Sequence, residues 1–200
     1  MRLVHIPVGI NCDVTSFLIR TGRRREAMPF DWTMCTLDRI ADLIDTDFAE
    51  WMSDLRYMRV GTRTYADGRV KKAMHQVWCA SSGVLFLHDF QADEDAVECE
   101  RQVKEKYQRR IARFRKLCES GKARLVFVTD ACAASNVRNA KFLRGVAEDE
   151  PVSPDKTEVD RQAARLAEAI ARRYPKLEFA IARLVKDKRL VVCRDFVANQ

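Results

Sequence analysis

Leu3-Val4-His5-Ile6-Pro7-Val8-Gly9-Ile10-Asn11-Cys12-Asp13-Val14-Thr15-Ser16-Phe17-Leu18-Ile19-Arg20 is the stretch on which the fold turns. Leu3 to Val8 is a short apolar run that reads as a buried strand. After Gly9 the pattern from Asp13 to Arg20 reads as a helix. A thiol at such a handover sits among unpaired backbone N–H groups and the positive end of the helix dipole. That setting favours thiolate over thiol and makes a better nucleophile near neutral pH. The same N–H groups can hold the oxyanion that forms when a thiolate attacks an acyl carbon. The competing structural reading is a small buried core residue at a strand–helix junction.

Working outward, the chain repeats this alternation. Helical patterns fall at about 37–46, 94–119 and from Ser153-Pro154 to about Tyr174, with strands at 83–88, 124–129, 177–184 and 190–193 between and after them. Thr36 is placed to cap the second helix and Gly121 to stop the third. Residues 55–80 read as irregular or as a hairpin turning at Asp67-Gly68. Glu148 to Pro154 reads as an acidic, proline-bearing surface loop. Strands alternating with helices point to an α/β fold in one domain, residues 1–200, with a largely parallel sheet covered by helices on both faces.

A nucleophilic thiol needs a base, and the chain holds three histidines. His5 lies inside the first strand and reads as core, and His75 reads as surface. His88 ends the apolar run Gly83–Leu87 and precedes Asp89, a strand-end placement of the kind where open α/β sheets put their chemistry. Its ordinary pKa near neutrality suits it to take a proton from Cys12. The third group stays open. Asp89 is adjacent to His88, so in an extended strand their side chains point to opposite faces. Asp31, polar between Phe30 and Trp32, needs a partner if buried, and His88 is one candidate; a turn acid bonding nearby backbone is the other reading. Asp130 ends a strand and is a further candidate.

Composition bounds the rest. At 47% hydrophobic and 32% charged, the 200-residue chain has the makeup of a folded globular protein rather than a disordered one. The seven cysteines form no Cys-x-x-Cys pair, which supports neither a zinc site nor a thioredoxin-like motif. No metal or cofactor is therefore expected. The N-terminal apolar run is too short for a signal peptide, and no run approaches a membrane span, so a cytoplasmic compartment with reduced thiols is the expectation. The net charge is +7, and residues 101–116 carry eight basic side chains against the single acid Glu105. Yet Val103, Tyr107, Ile111, Phe114 and Cys118 form a core-facing stripe, so those cations read as the solvated face of an amphipathic helix. Nucleic acid is not expected as a partner from that face alone. Arg24 and Arg25, with Arg20 and Arg23, can recognise an acidic or phosphorylated group.

Gly9-Ile10-Asn11-Cys12, Arg24 to Trp32 (which contains Pro29-Phe30-Asp31-Trp32), Asp47-Phe48, Phe86-Leu87-His88-Asp89-Phe90, Val103 to Phe114 and Leu125 to Val128 together resemble a bacterial and viral family of papain-like cysteine peptidases without assigned function. The resemblance covers roughly residues 4 to 130. It implies Cys12 as nucleophile and His88 as base, and it implies a papain-like α+β arrangement as the alternative architecture. Many members carry Ser-Leu-Gly before the cysteine, where this chain has Pro7-Val8-Gly9.

These readings combine into a cysteine-nucleophile hydrolase or acyltransferase acting on the amide, isopeptide or thioester of an acyl or peptide substrate. Cys12 attacks, His88 carries the proton, and Asp31 or Asp89 orients the imidazole. Asn11 and Asp13 serve the oxyanion, while Trp32, Arg24 and Arg25 contact the substrate. Two alternatives remain. One is a non-enzymatic binding or host-interaction module recognising an acidic partner. The other is a glycan- or nucleotide-handling α/β enzyme using the same crevice.

Overall fold

The computed structural model describes residues 2–10, 12–64, 70–130, 156–185 and 187–196. Strands alternate with helices over most of the described residues, but their eight strands divide into two sheets.

The first sheet is the expected one. Strand β1 (Arg2–Pro7) pairs parallel with β6 (Ala123–Asp130), which pairs parallel with β7 (Phe179–Leu184). Strand β8 (Leu190–Phe196) closes this sheet antiparallel to β7. Period-two alternation gives it two faces. On one, Val126 and Val128 of β6 with Ala182 and Leu184 of β7 pack against Val14, Phe17 and Leu18 of helix α1 (Cys12–Arg20). On the other, Leu125, Phe127, Phe179 and Ile181 join the main core. There they meet α3 (Ala96–Ser120) and α4 (Lys156–Arg173). The predicted stripe on α3, Val103, Tyr107, Ile111, Phe114 and Cys118, is buried, and so are Val159, Ala163, Leu166 and Ile170 on α4.

The second sheet is antiparallel, in the order β2-β5-β4-β3. Strand β3 (Leu55–Thr64) and β4 (Val70–Cys79) form the hairpin, whose Asp67-Gly68 turn lies outside the described residues. Strand β5 (Val84–Gln91) pairs with β4 on one side and with the two-residue β2 (Thr33–Met34) on the other. The segment after Ala131, the acidic loop up to Pro154 and the start of α4 at Ser153-Pro154 also lie outside the described residues. The fold is thus α/β with a mostly parallel sheet, joined to an antiparallel one by a shared core that includes Val77, Phe86 and Phe90 beside Ile6 and Phe127. His75 belongs to that second sheet and is half-buried with its ring edge-on to Tyr57, not a loop residue on the surface.

Capping follows the sequence. The Thr36 hydroxyl accepts from the Arg39 N–H at the start of α2 (Leu37–Asp45), and Gly121 ends α3 at φ 60°. Among the described residues, no helix is long and apolar enough to cross a membrane.

Candidate active site

Gly9 is where the backbone leaves β1 for α1. Its φ of 116° lies where L side chains are strained, and a Cβ there would meet Thr129 Oγ1 at 2.7 Å. Two bonds fix the exit: Val8 N–H donates to Val128 O (2.8 Å), and Cys35 N–H donates to Gly9 O (3.1 Å). Helix α1 then opens on Cys12 itself, so the thiol stands in the first turn, where backbone N–H groups lack intrahelical acceptors. Asp13 is exposed in the same turn, and Asn11 lies outside the described residues.

Cys12 is half-buried, with Sγ 3.7 Å from His88 Nε2 and 3.9 Å from the Trp32 carbonyl, to which the thiol donates. The Trp32 indole stands edge-on to the His88 ring, centroids 5.6 Å apart. Trp32 has φ 65°, a left-handed conformation that costs an ordinary residue roughly 1–2 kcal/mol. Its N–H reaches Thr15 Oγ1 at 3.5 Å, one turn along α1 from the cysteine. Cys12, Trp32 and His88 therefore come together from three separate elements.

How His88 gets there differs from the sequence expectation. It does not end a strand of the parallel sheet; it sits inside β5 of the antiparallel one. The register runs Val77 opposite Phe86 and His75 opposite Phe90, so Gln76 alone faces Leu87, His88 and Asp89. This bulge interrupts the alternation that would put His88 on the same face as Phe86 and Phe90. Asp89 takes that side instead. Tyr107 donates its hydroxyl proton to Asp89 Oδ2 (2.8 Å), and Lys106 pairs with Oδ1. Tyr107 is fully buried, and burial with the adjacent Asp89 charge raises its pKa well above the usual phenol value, so it remains a donor.

Asp31 is completely buried. Arg24 reaches its Oδ2 through Nε and Nη2, both at 3.0 Å, and the Met28 N–H donates to the same oxygen at 2.7 Å. Oδ1 has no hydrogen-bond partner among the described residues. Burial pushes the carboxyl above its ordinary range, and Arg24 offsets part of that rise. Among the described residues, the hydrogen bonds of neither Asp31 nor Asp89 run to His88. Arg24, read from sequence as a substrate contact, faces inward to Asp31, while Arg25 is exposed.

Helix α3 supplies what sequence reading missed. Its cations are not simply a solvated face: Arg110 donates to Asp31 O (3.5 Å), Arg113 to Ala27 O (2.6 Å), and Arg115 to the Asp47 carboxylate (2.9 Å). They clamp the loop that carries Trp32 and the turn beside it. The signal available in sequence was Tyr107, since a tyrosine inside an apolar stripe needs a partner for its hydroxyl. Among the described residues, no three His, Cys, Asp or Glu side chains gather to hold a metal ion.

No solved structure matches the chain. An uncharacterized protein of Acanthamoeba polyphaga mimivirus is 30% identical over 135 residues, 62% of this chain and 60% of that protein's length. Residues 4–189 match the family described as "Putative papain-like cysteine peptidase", a span that stops short of β8 but includes Cys12, Trp32 and His88, and the chain belongs to that family.

Proposed function

We propose that the protein is a cysteine-nucleophile hydrolase or acyltransferase that cleaves an amide, isopeptide or thioester, with peptide as the substrate class the family suggests. One observation carries the reading: a thiol in the first turn of a helix, 3.7 Å from an imidazole nitrogen that comes from a different sheet. His88 Nε2 takes the thiol proton, and the Cys12 sulfur adds to the acyl carbon. The carbonyl electron pair moves to oxygen, where N–H groups from Asn11 to Asp13 stabilise it. The tetrahedral species collapses as His88 returns the proton to the leaving nitrogen or sulfur. The resulting thioester passes its acyl group to water or to a second nucleophile, with His88 taking the incoming proton.

Asp31 and Asp89 act in this scheme as positioning residues. Asp31, through Arg24 and Met28, holds the turn that sets Trp32 against His88. Asp89 ties the bulge to α3. Substrate approach is from the side on which Trp32 and Cys12 are half-buried, with exposed Arg25 and Asp13 nearby in sequence.

The test is the pH dependence of iodoacetamide labelling at each cysteine, read by mass spectrometry, for the wild type and His88→Ala. The expected result is that Cys12 reacts well ahead of the other cysteines, with an apparent pKa below the roughly 8.5 of a free thiol. His88→Ala should raise that pKa and slow labelling at pH 7 by about tenfold or more. A Cys12 no faster than its peers, and indifferent to His88, sinks the proposal.

A further inference from the structure

Helix α3 carries eight basic residues between 101 and 116, and Arg110 stands apart from the rest. Arg101 pairs with Glu98 and Glu105, Lys104 with Glu100, Lys106 with Asp89, Arg113 with Glu26 and Arg115 with Asp47. Arg109 and Lys116 are exposed, where water solvates the charge. Arg110 is half-buried and, among the described residues, forms no ion pair. Its one hydrogen bond there, from Nη1 to the Asp31 carbonyl, is long at 3.5 Å. Its guanidinium carbon lies 5.0 Å from the centre of the Tyr107 ring. A cation drawn partly out of water without a counter-charge costs stability, and an arriving anion offsets that cost.

Arg110 also lies beside both halves of the site. The Asp31 carbonyl comes one residue before the Trp32 carbonyl, which is 3.9 Å from the Cys12 sulfur. The Tyr107 ring against the guanidinium carries the hydroxyl bonded to Asp89, the neighbour of His88. The two carbonyl contacts keep Nη1 within roughly 13 Å of the sulfur, the span of about four extended residues. The Asp31 carboxyl does not use up this charge. Arg24 holds its Oδ2 through two nitrogens at 3.0 Å, and the pull of Arg110 on it ranks behind those of Arg24 and the Met28 N–H.

We infer that Arg110 binds a carboxylate of the substrate, within about four residues of the bond that Cys12 attacks, and makes the site selective for acidic peptides. This rests on Cys12 as nucleophile and specifies the substrate class of that same site. The planar guanidinium fork matches a carboxylate through two parallel N–H bonds, a geometry that a lysine cannot offer. Only Nη1 is engaged, by the long bond to Asp31, which leaves Nη2 and Nε as donors. The carboxylate is that of an acidic side chain or of a chain terminus.

Matched alkylating probes test this on the full chain without a known substrate. Rates of Cys12 labelling at pH 7, read by mass spectrometry, are compared within two pairs. Iodoacetyl-Gly-Gly against its amide reports a terminal carboxylate; iodoacetyl-Gly-Asp-amide against iodoacetyl-Gly-Asn-amide reports a side chain. In at least one pair the anionic probe should outpace its neutral twin by about tenfold, the effect of one charge-assisted hydrogen bond. Arg110→Gln can still donate to the Asp31 carbonyl and should bring that ratio close to one. Because the readout is a ratio, a loosening of the Trp32 loop that slows both twins cancels. Arg109→Gln removes the same charge from the exposed face and should leave the ratio unchanged. If Arg110→Gln does not fold by circular dichroism, Arg110→Lys decides: without the fork the ratio should fall to about threefold, and a ratio at the wild-type value overturns the inference. So does an equal fall in Arg109→Gln, which would assign the preference to net charge. A wild-type ratio near one in both pairs, with Cys12 reactive toward the neutral probes, overturns the inference and leaves the nucleophile standing. A Cys12 inert to all four probes overturns both.

Discussion

The thiol and the imidazole of the candidate site reach the same point by opposite means. Cys12 is delivered by local chain geometry: a parallel strand, a glycine at φ 116°, and a helix that begins on the cysteine. His88 is delivered by distant contacts: a bulge in an antiparallel strand, its next residue bonded to Tyr107 and Lys106, and a facing tryptophan whose loop is held by Arg24, Arg110 and Arg113. The nucleophile's position therefore depends on backbone freedom at one or two residues. The base depends on side chains far from it in sequence. Substitutions on the two sides should fail differently.

The joint between the sides is the most sensitive point. Asp31→Ala leaves the Arg24 guanidinium largely buried without its partner, and breaking such a pair costs 3–5 kcal/mol when both charges are buried. Arg24 is 19% exposed, which places the expected loss at about 3 kcal/mol, or roughly 6–12 °C in melting temperature for a chain of this size. Arg24→Met/Asp31→Leu should recover most of it, because a buried apolar pair carries no uncompensated charge. A pH series sharpens the result. Burial raises the folded pKa of Asp31 above its unfolded value, so its carboxyl contributes most stability below the ordinary carboxylate range and loses it as pH rises through the raised value. Urea unfolding of wild type against Asp31→Asn should show a difference that shrinks as pH rises from about 4 to 8. A difference that grows instead would mean that attraction to Arg24 outweighs burial.

Gly9→Ala tests the nucleophile's side alone. The added Cβ meets Thr129 Oγ1 at 2.7 Å, and the backbone is held where alanine is strained. The expected cost is about 2 kcal/mol. It should come with slower Cys12 labelling, because the strain is relieved by shifting the turn that aims the thiol. Adding Thr129→Ala removes the contact but not the strained φ, so the double variant should regain only part of the melting temperature. Full recovery would show that crowding, not backbone conformation, makes glycine necessary there.

Much of the fold was legible because its signals are local. Apolar runs marked β1, β6 and β7, five residues at spacings of three and four marked α3, and Thr36 and Gly121 marked helix ends. The division into two sheets was not legible, since a hydrophobic run such as Val84–Leu87 does not state whether its neighbour runs parallel or antiparallel. Strand β2, at two residues, is too short to leave a periodic trace. Within the candidate site, the Cys12 and His88 positions stood out by residue type. The arrangement of Asp31 and Asp89 did not, because a buried carboxylate announces only that it needs a partner. Arg24 and Tyr107, which bond to them, read in sequence as a substrate contact and as part of an apolar stripe.

That last pairing offers the finest test of the base's side. Tyr107→Phe removes one hydroxyl from a closed core and leaves Asp89 Oδ2 without its donor, while Lys106 still pairs with Oδ1. The expected loss of stability is about 1 kcal/mol, the smallest of the set. Its kinetic effect is more telling than its size. If Asp89 holds the bulge in the form that turns His88 toward the thiol, the variant loosens the bulge and slows Cys12 labelling a few-fold at neutral pH. Lys106→Met, which removes a bond from a side chain 32% exposed, should slow it less. If both variants melt lower but label at the wild-type rate, the bulge is held by the backbone ladder alone. The contrast between a locally built nucleophile and a remotely built base would then reduce to the Trp32 loop and its arginine clamps.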